Sequence, residues 1–356
     1  MENYRKFNFS YFSEPSFECA SIQCNYVAAT VFSTYGNSAK YAVYAQNWFK
    51  YKSSNSSLKA SGRSQFLDAF NNVEILKKFP SPELISLSKN ASMEWISLPE
   101  SSPDAKMPHI VFQVGNRTLR ALVDTGWDQT SLPLKDLQIA PADIFFWNDY
   151  DASNGHVVGK TPNYFIRDMR IGVIDVGNTW VSENADEAVI GFDILSRFRN
   201  IVFSKFDNKI VFNAGNYSFG KCIGIYPVPA SGENTGPGHR FLATNVEINN
   251  KKTSAFIDTG LAPLNGTLGL VSDPNLVSEL TTQDTDQVLI DANRVVTKIK
   301  TVETTLSLGQ EKRTGRFTII PQYAGSPFAF TGLVLPADFF GGGNFVLDFS
   351  KGLLCF

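Results

Sequence analysis

Histidine, cysteine, methionine and charge of one sign are all scarce in this chain of 356 residues. Its three histidines, His109, His156 and His239, stand at no metal-ligand spacing, so they imply no metal centre, and nothing else in the sequence calls for a cofactor. Four cysteines, Cys19, Cys24, Cys222 and Cys355, are too few and too scattered for a disulfide scaffold and fit no common zinc pattern. Buried or free thiols are the simpler expectation, with a local Cys19 to Cys24 bridge left open for an exported protein. A formal net charge of −2 supplies no basic surface for nucleic acid, and no basic amphipathic stretch suggests a membrane face. No apolar run approaches membrane-spanning length. The opening residues Met1-Glu2-Asn3-Tyr4-Arg5-Lys6-Phe7 contain no apolar h-region. A cytoplasmic location is therefore expected, with secretion the alternative if the native N-terminus lies further upstream. Six Asn-x-Ser/Thr triplets, at Asn8, Asn55, Asn90, Asn116, Asn216 and Asn265, would permit glycosylation after secretion, although a chain rich in Asn, Ser and Thr also produces them by chance.

What is present is ample apolar material and a repeat. A hydrophobic share of 43% is enough for real cores, and the length suits two or three domains. Phenylalanine, at 29 residues, far outnumbers methionine, at 4, and with many Val, Ile and Thr this leans toward β structure. The repeat is Ala121-Leu122-Val123-Asp124-Thr125-Gly126, which returns 134 residues later as Ala255-Phe256-Ile257-Asp258-Thr259-Gly260. In each copy an apolar strand carries an Asp into a tight Thr-Gly turn, placing the carboxylate where a buried strand surfaces. Average composition predicts on the order of a tenth of a chance Asp-Thr-Gly per chain of this length, so two copies with matching flanks are not accidental.

Residues 1–105 do not resemble the remainder. Phe17 to Tyr51 is aromatic and β-branched enough to predict a few strands, and Lys52 to Ser57 reads as a polar loop. Ser64 to Leu76 places Phe66, Phe70, Val73 and Leu76 on one helical face, ended by Pro80 and Pro82. The Pro/Ser-rich segment Leu98 to Asp104 marks a boundary. Beyond it, at a fixed offset, Phe112 and Val114 match Val246 and Ile248, with Gly115-Asn116 and Asn249-Asn250 supplying turns, so a hairpin feeding a buried strand is expected twice. Ala188 to Leu195 takes Phe330 to Leu335 as its counterpart. Each half then ends in a strand pair, at Asn200 to Phe212 and at Asn344 to Phe356. Residues 217–240, rich in Pro and Gly, read as the linker between halves at 106–216 and 241–356. Gly341-Gly342-Gly343 lacks the lysine of a phosphate-binding loop and reads as a plain turn.

On these motifs the chain resembles the aspartic proteases of the pepsin/retropepsin type, with each half similar to one retropepsin-like lobe. The resemblance covers roughly residues 106–356 and implies a mainly β, bilobal fold of two pseudo-symmetric β-barrel lobes behind an N-terminal extension, either a pro-segment or a structural piece. It implies an aspartic endopeptidase acting on polypeptides as a monomer, its lobes pairing within one chain. Asp124 and Asp258 would be the catalytic pair, since adjacent carboxylates share one proton and so supply an acid and a base from one residue type. Thr125 and Thr259 would exchange hydrogen bonds across the junction, and Gly126 and Gly260 would leave space for substrate backbone. The later apolar-apolar-Gly element falls on Val189-Ile190-Gly191 and, with a mismatch at Thr331, on Phe330-Thr331-Gly332. A flap over the substrate is expected at Trp147 to Val158, with Tyr150, Asn154, Gly155 and His156 at its tip, and a shorter counterpart at Leu289 to Val296. One departure points elsewhere: Trp127 and Leu261 stand where active relatives have Ser, Thr or Ala, and such bulk would fill the cleft. The alternative is thus a catalytically inactive protein of this fold that binds or inhibits a partner.

Overall fold

The computed structural model describes residues 21–22, 24–26, 28–29, 38–54, 88–96, 107–133, 144–150, 157–177, 179–184, 187–229, 240–261, 267–271, 274–290, 296–319 and 332–356, with single positions at 74, 77, 85 and 137. The chain is mainly β. Among the described residues the strands form one sheet of 13 strands and one of 9.

The strand His109–Val114 alternates, with Ile110, Phe112 and Val114 buried and Val111 and Gln113 exposed, as a half-buried strand should. Gly115, at φ +55°, turns the chain so that Arg117–Val123 pairs back in antiparallel register from Val114↔Arg117 to His109↔Leu122. This second strand begins exposed and ends with Ala121, Leu122 and Val123 buried, so it dives into the core immediately before Asp124. Ala188–Ile190 lies parallel on its other side. The arrangement recurs in the second half. Arg240–Ile248 and Lys251–Asp258 form an antiparallel pair, turned by Asn249 at φ +48° and Asn250 at φ +60°, and Leu333–Pro336 runs parallel to the latter strand.

The register of that last pairing corrects the expected counterpart. Val123 faces Ile190, and Ile257 faces Leu335, so Val334-Leu335-Pro336, not Phe330-Thr331-Gly332, stands opposite Val189-Ile190-Gly191. The second half has an insertion before this strand that a constant offset cannot follow. Pro336 takes the place of Gly191, and the short turn Ala337–Phe339 takes the place of the helix Phe192–Leu195.

The two terminal hairpins, Asn200–Ser204 with Lys209–Phe212 and Asn344–Asp348 with Leu353–Cys355, pair with each other through Val202↔Val346. The seam is aromatic: the Phe203 and Phe345 rings stack at 4.5 Å, and Phe340 packs on Phe345 at 5.7 Å. Each fully buried Phe contributes on the order of 1.5–3 kcal/mol, so this seam is a main cohesive element between the two hairpins.

Three further expectations need revision. The segment Ser38–Ser53 is a helix, not strands. Ala42, Ala45, Trp48 and Phe49 are buried with Tyr41, a helical spacing supported by alanine, and this outweighs the β-leaning aromatic content. Residues 217–240 contain the strand Cys222–Pro229, which pairs with Arg240–Ile248 and Leu353–Cys355 and so is part of the large sheet. Cys222 and Cys355 are not thiols: they sit opposite each other in that ladder and form a disulfide, Cys24 is also disulfide-bonded, and among the described residues no cysteine is free. The partners lie 133 residues apart in sequence, out of reach of any spacing rule. Upstream, Ala91–Glu94 adds an edge strand to Lys209–Phe212. The expected helix at 64–76 lies outside the described residues, apart from Glu74.

Candidate active site

Each Asp-Thr-Gly loop is held first by its own half. The Asp124 amide donates to Ile190 O at 3.0 Å, so the parallel pairing of Arg117–Val123 with Ala188–Ile190 extends as far as Asp124. Gly191 then passes so close beneath the loop that a Cβ there would lie 2.7 Å from Trp127 O and 2.9 Å from Thr130 N. Buried Asp193 accepts from both the Thr130 amide, at 2.8 Å, and the Thr130 hydroxyl, at 2.7 Å. These two bonds pin the loop after the dyad.

The loops are next held by each other. The Thr125 amide donates to Thr259 Oγ1 at 3.0 Å, and the Thr259 amide donates to Thr125 Oγ1 at 3.1 Å. Each hydroxyl in turn donates across the junction, Thr125 Oγ1 to Ile257 O and Thr259 Oγ1 to Val123 O, both at 2.6 Å. Both threonines are fully buried, so four bonds are made in a dry site where leaving any partner unpaired costs about 1–3 kcal/mol.

This exchange brings Asp124 and Asp258 into hydrogen-bond contact. Asp124 Oδ1 accepts the Gly126 amide at 2.7 Å and the Gly260 amide at 3.2 Å, and the Trp127 amide also donates to this carboxylate. Asp258 Oδ1 accepts the Gly260 amide at 3.0 Å, with Leu261 as a further backbone donor. The glycines have a structural role at the pair itself. A Cβ on Gly126 would lie 2.4 Å from the Asp258 Cγ, and one on Gly260 would lie 2.3 Å from the Asp124 Cγ. The room they leave is occupied by the opposite carboxylate.

Burial raises both carboxyl pKa values above the ordinary range. For Asp124, the hydrogen bonds from Asp258 and from the Gly126, Gly260 and Trp127 amides work against burial. For Asp258, the Asp124 charge and the shared hydrogen bond add to burial, so its pKa stands well above the ordinary value. Asp258 retains partial exposure while Asp124 is buried. The pair can therefore share one proton, with Asp258 the member raised further.

Trp127 is 39% exposed, so it does not pack into the core; its amide serves Asp124 and its carbonyl accepts the Phe192 amide at 2.7 Å. Leu261 is partly exposed. The expected flap hairpin has its two strands, Ile144–Tyr150 and Val157–Ile166, paired up to Tyr150↔Val157. Tyr150 ends the first strand, and Asn154, Gly155 and His156 lie outside the described residues. In the second half, Thr282–Ile290 and Val296–Leu308 pair likewise, up to Ile290↔Val296.

Sequence reasoning missed Asp193 and His109. His109 is fully buried, its Nδ1 3.1 Å from Met107 O and its Nε2 2.9 Å from Glu187 Oε1. It thus ties the strand on one side of Leu122 to the residue that opens the strand on the other side. The alternation of His109–Val114 was the available signal, since it puts His109 in the strand but not toward a partner 78 residues away. Among the described residues no group of three or more His, Cys, Asp or Glu could hold a metal ion, and no helix is long and apolar enough to cross a membrane.

No protein-family model matches this chain, and a search of curated proteins found no match. Among solved structures, it is similar to one described as edgp, at 9% identity and a TM-score of 0.40, covering 74% of this chain and 94% of that one. Basic 7S globulin from soybean, at 9% identity and a TM-score of 0.39, covers 74% and 93%, and conglutin gamma, a basic 7S globulin from lupine seeds, at 8% and 0.39, covers 75% and 94%. A likeness at that level says nothing about activity.

Proposed function

We propose that this chain is an aspartic endopeptidase of the pepsin/retropepsin type, with retropepsin-like lobes at residues 106–216 and 241–356 that pair within one monomer. The observation that carries the proposal is the contact between Asp124 and Asp258, held by reciprocal threonine bonds between two Asp-Thr-Gly loops. Burying adjacent carboxylates is costly, and nothing in the packing of these loops requires two acids rather than two amides. Their value lies in the shared proton.

In this reading Asp124, with three backbone donors, is the ionised member and Asp258 the protonated one. Asp124 takes a proton from a water as the water oxygen attacks the scissile carbonyl carbon, and Asp258 gives its proton to the carbonyl oxygen. The tetrahedral diol then collapses: Asp124 passes its new proton to the leaving nitrogen, Asp258 takes a proton from one diol hydroxyl as the carbonyl re-forms, and the C–N bond breaks. The dyad is returned with one proton. No metal or cofactor enters these steps, and the substrate is a polypeptide. The expected flap residues Tyr150, Asn154, Gly155 and His156 would lie over it.

A second reading rests on Trp127 and Leu261. Neither offers a hydroxyl to the dyad, and an exposed indole three residues after Asp124 fits obstruction of a peptide backbone as well as stacking on a substrate side chain. The chain would then be an inactive protein of the same fold that binds a polypeptide or inhibits an enzyme. One experiment separates the readings: purified protein is incubated with a diverse peptide mixture across pH 3–8, with and without a statin-type peptide, beside Asp124→Asn. Cleavage that is blocked by the statin and absent from the variant supports the peptidase. Statin binding without cleavage gives the second reading, and neither binding nor cleavage rejects both.

A further inference from the structure

Three of the Asn-x-Ser/Thr triplets fall on described residues: Asn90-Ala91-Ser92, Asn116-Arg117-Thr118 and Asn216-Tyr217-Ser218. In each, both the asparagine and the hydroxyl residue two positions on are exposed. Asn90 immediately precedes the edge strand Ala91–Glu94, Asn116 sits in the turn between His109–Val114 and Arg117–Val123, and Asn216 follows the strand Lys209–Phe212. The buried asparagines, Asn25, Asn163, Asn200 and Asn213, are not in such triplets. A glycan added to any of those four would have to be driven into packed protein. At the three exposed positions it would extend into solvent.

A second, independent observation concerns compartment. Cys222 and Cys355 form a disulfide across neighbouring strands, Cys24 is disulfide-bonded, and among the described residues no cysteine is left as a thiol. Disulfides persist in the lumen of the export pathway and outside the cell, whereas glutathione and thioredoxin keep most cytosolic thiols reduced. Disulfide bonding of all three described cysteines fits the same compartments in which asparagine glycosylation takes place. The exposed triplets and the paired cysteines thus point the same way, and against the cytoplasmic location expected from the first residues.

We propose that this protein matures in an oxidising, glycosylating compartment and carries N-linked glycans on Asn90, Asn116 and Asn216. The donor is an oligosaccharide linked through C1 to a polyprenyl diphosphate. The side-chain amide nitrogen forms a bond to C1, the C1–O bond to the diphosphate breaks, the amide gives up one proton, and the polyprenyl diphosphate leaves. No oxidation or reduction occurs in that transfer. Each disulfide forms separately, two thiols giving two electrons and two protons to a thiol oxidant of that compartment. None of this depends on the peptidase reading.

The test is peptide mapping of the full chain purified from the cells that naturally make it. Unreduced protein is first treated with an alkylating reagent, and is then deglycosylated by a peptide amidase that leaves Asp wherever a glycan was attached. The expected result is Asp at positions 90, 116 and 216, no alkylated cysteine before reduction, and loss of one gel-mobility step in each of Asn90→Gln, Asn116→Gln and Asn216→Gln. Unmodified asparagine at all three positions would overturn the proposal, as would alkylation of Cys222 and Cys355 without reduction. Neither result bears on whether the dyad cleaves peptides.

Discussion

A methyl group placed on Gly260 would lie 2.3 Å from the carboxylate carbon of Asp124, in the other Asp-Thr-Gly loop. The mirror contact, from Gly126 to Asp258, is 2.4 Å. The two glycines are therefore what allows the two acids to approach.

Gly260→Ala is expected to push the Asp124 side chain out of its bonds with the Gly126 and Gly260 amides. Overpacking of this sort typically costs about 1–3 kcal/mol, so the protein should still fold while peptide cleavage falls by orders of magnitude. Denaturant melts and kcat/KM on one peptide substrate read the two effects separately. Wild-type turnover in the variant would show that close approach of the carboxylates is not needed.

Asp258→Asn is expected to abolish cleavage yet stabilise the fold at neutral pH. A buried carboxyl whose folded-state pKa is raised binds its proton more tightly in the native than in the unfolded state. That contribution is fully present below the unfolded value of about 4 and is lost as pH rises from there through the raised folded value. Asn keeps the donor to Asp124 and has no proton to lose. The Tm of the variant should thus match wild type near pH 3 and exceed it near pH 7. A variant less stable than wild type at pH 7 would contradict the direction assigned to Asp258.

The pH profile of kcat/KM should be displaced upward. The active form carries one proton on the pair and exists between the pair's two macroscopic pKa values. Burial raises both carboxyls, and the backbone donors at Asp124 only partly offset it. The bell is expected to centre above the ordinary carboxylate range of about 4. A maximum in the strongly acidic range would mean that the amides of Gly126, Gly260 and Trp127 outweigh burial.

Trp95 tests whether the N-terminal extension is structural. Its ring is 3% exposed and meets Phe203 at 6.3 Å, and its Nε1 donates to Met107 O at 3.2 Å. Trp95→Ala should cost roughly 3–5 kcal/mol, the range for deleting a large buried aromatic. If instead residues 1–100 are only a covering segment, their deletion will leave the melting temperature unchanged and raise activity.

Much of this was legible locally. The Asp-Thr-Gly repeat, the alternation of His109–Val114 and the turns at Gly115-Asn116 and Asn249-Asn250 all depend on backbone sterics and side-chain period within a few residues, which a sequence displays directly. The helix Ser38–Ser53 was also written there, in the spacing of Tyr41, Ala45, Trp48 and Phe49, but aromatic composition pointed the other way. Only the folded chain decided the rest. Asp124 meets Asp258, Thr125 meets Thr259, Cys222 meets Cys355 and His109 meets Glu187 across separations of 78 to 134 residues. Contacts at that range depend on how strands order themselves in a sheet, and no local pattern records it. The same holds for Pro336 in the place of Gly191, because an insertion in a loop leaves each strand's own sequence unchanged while shifting its partner.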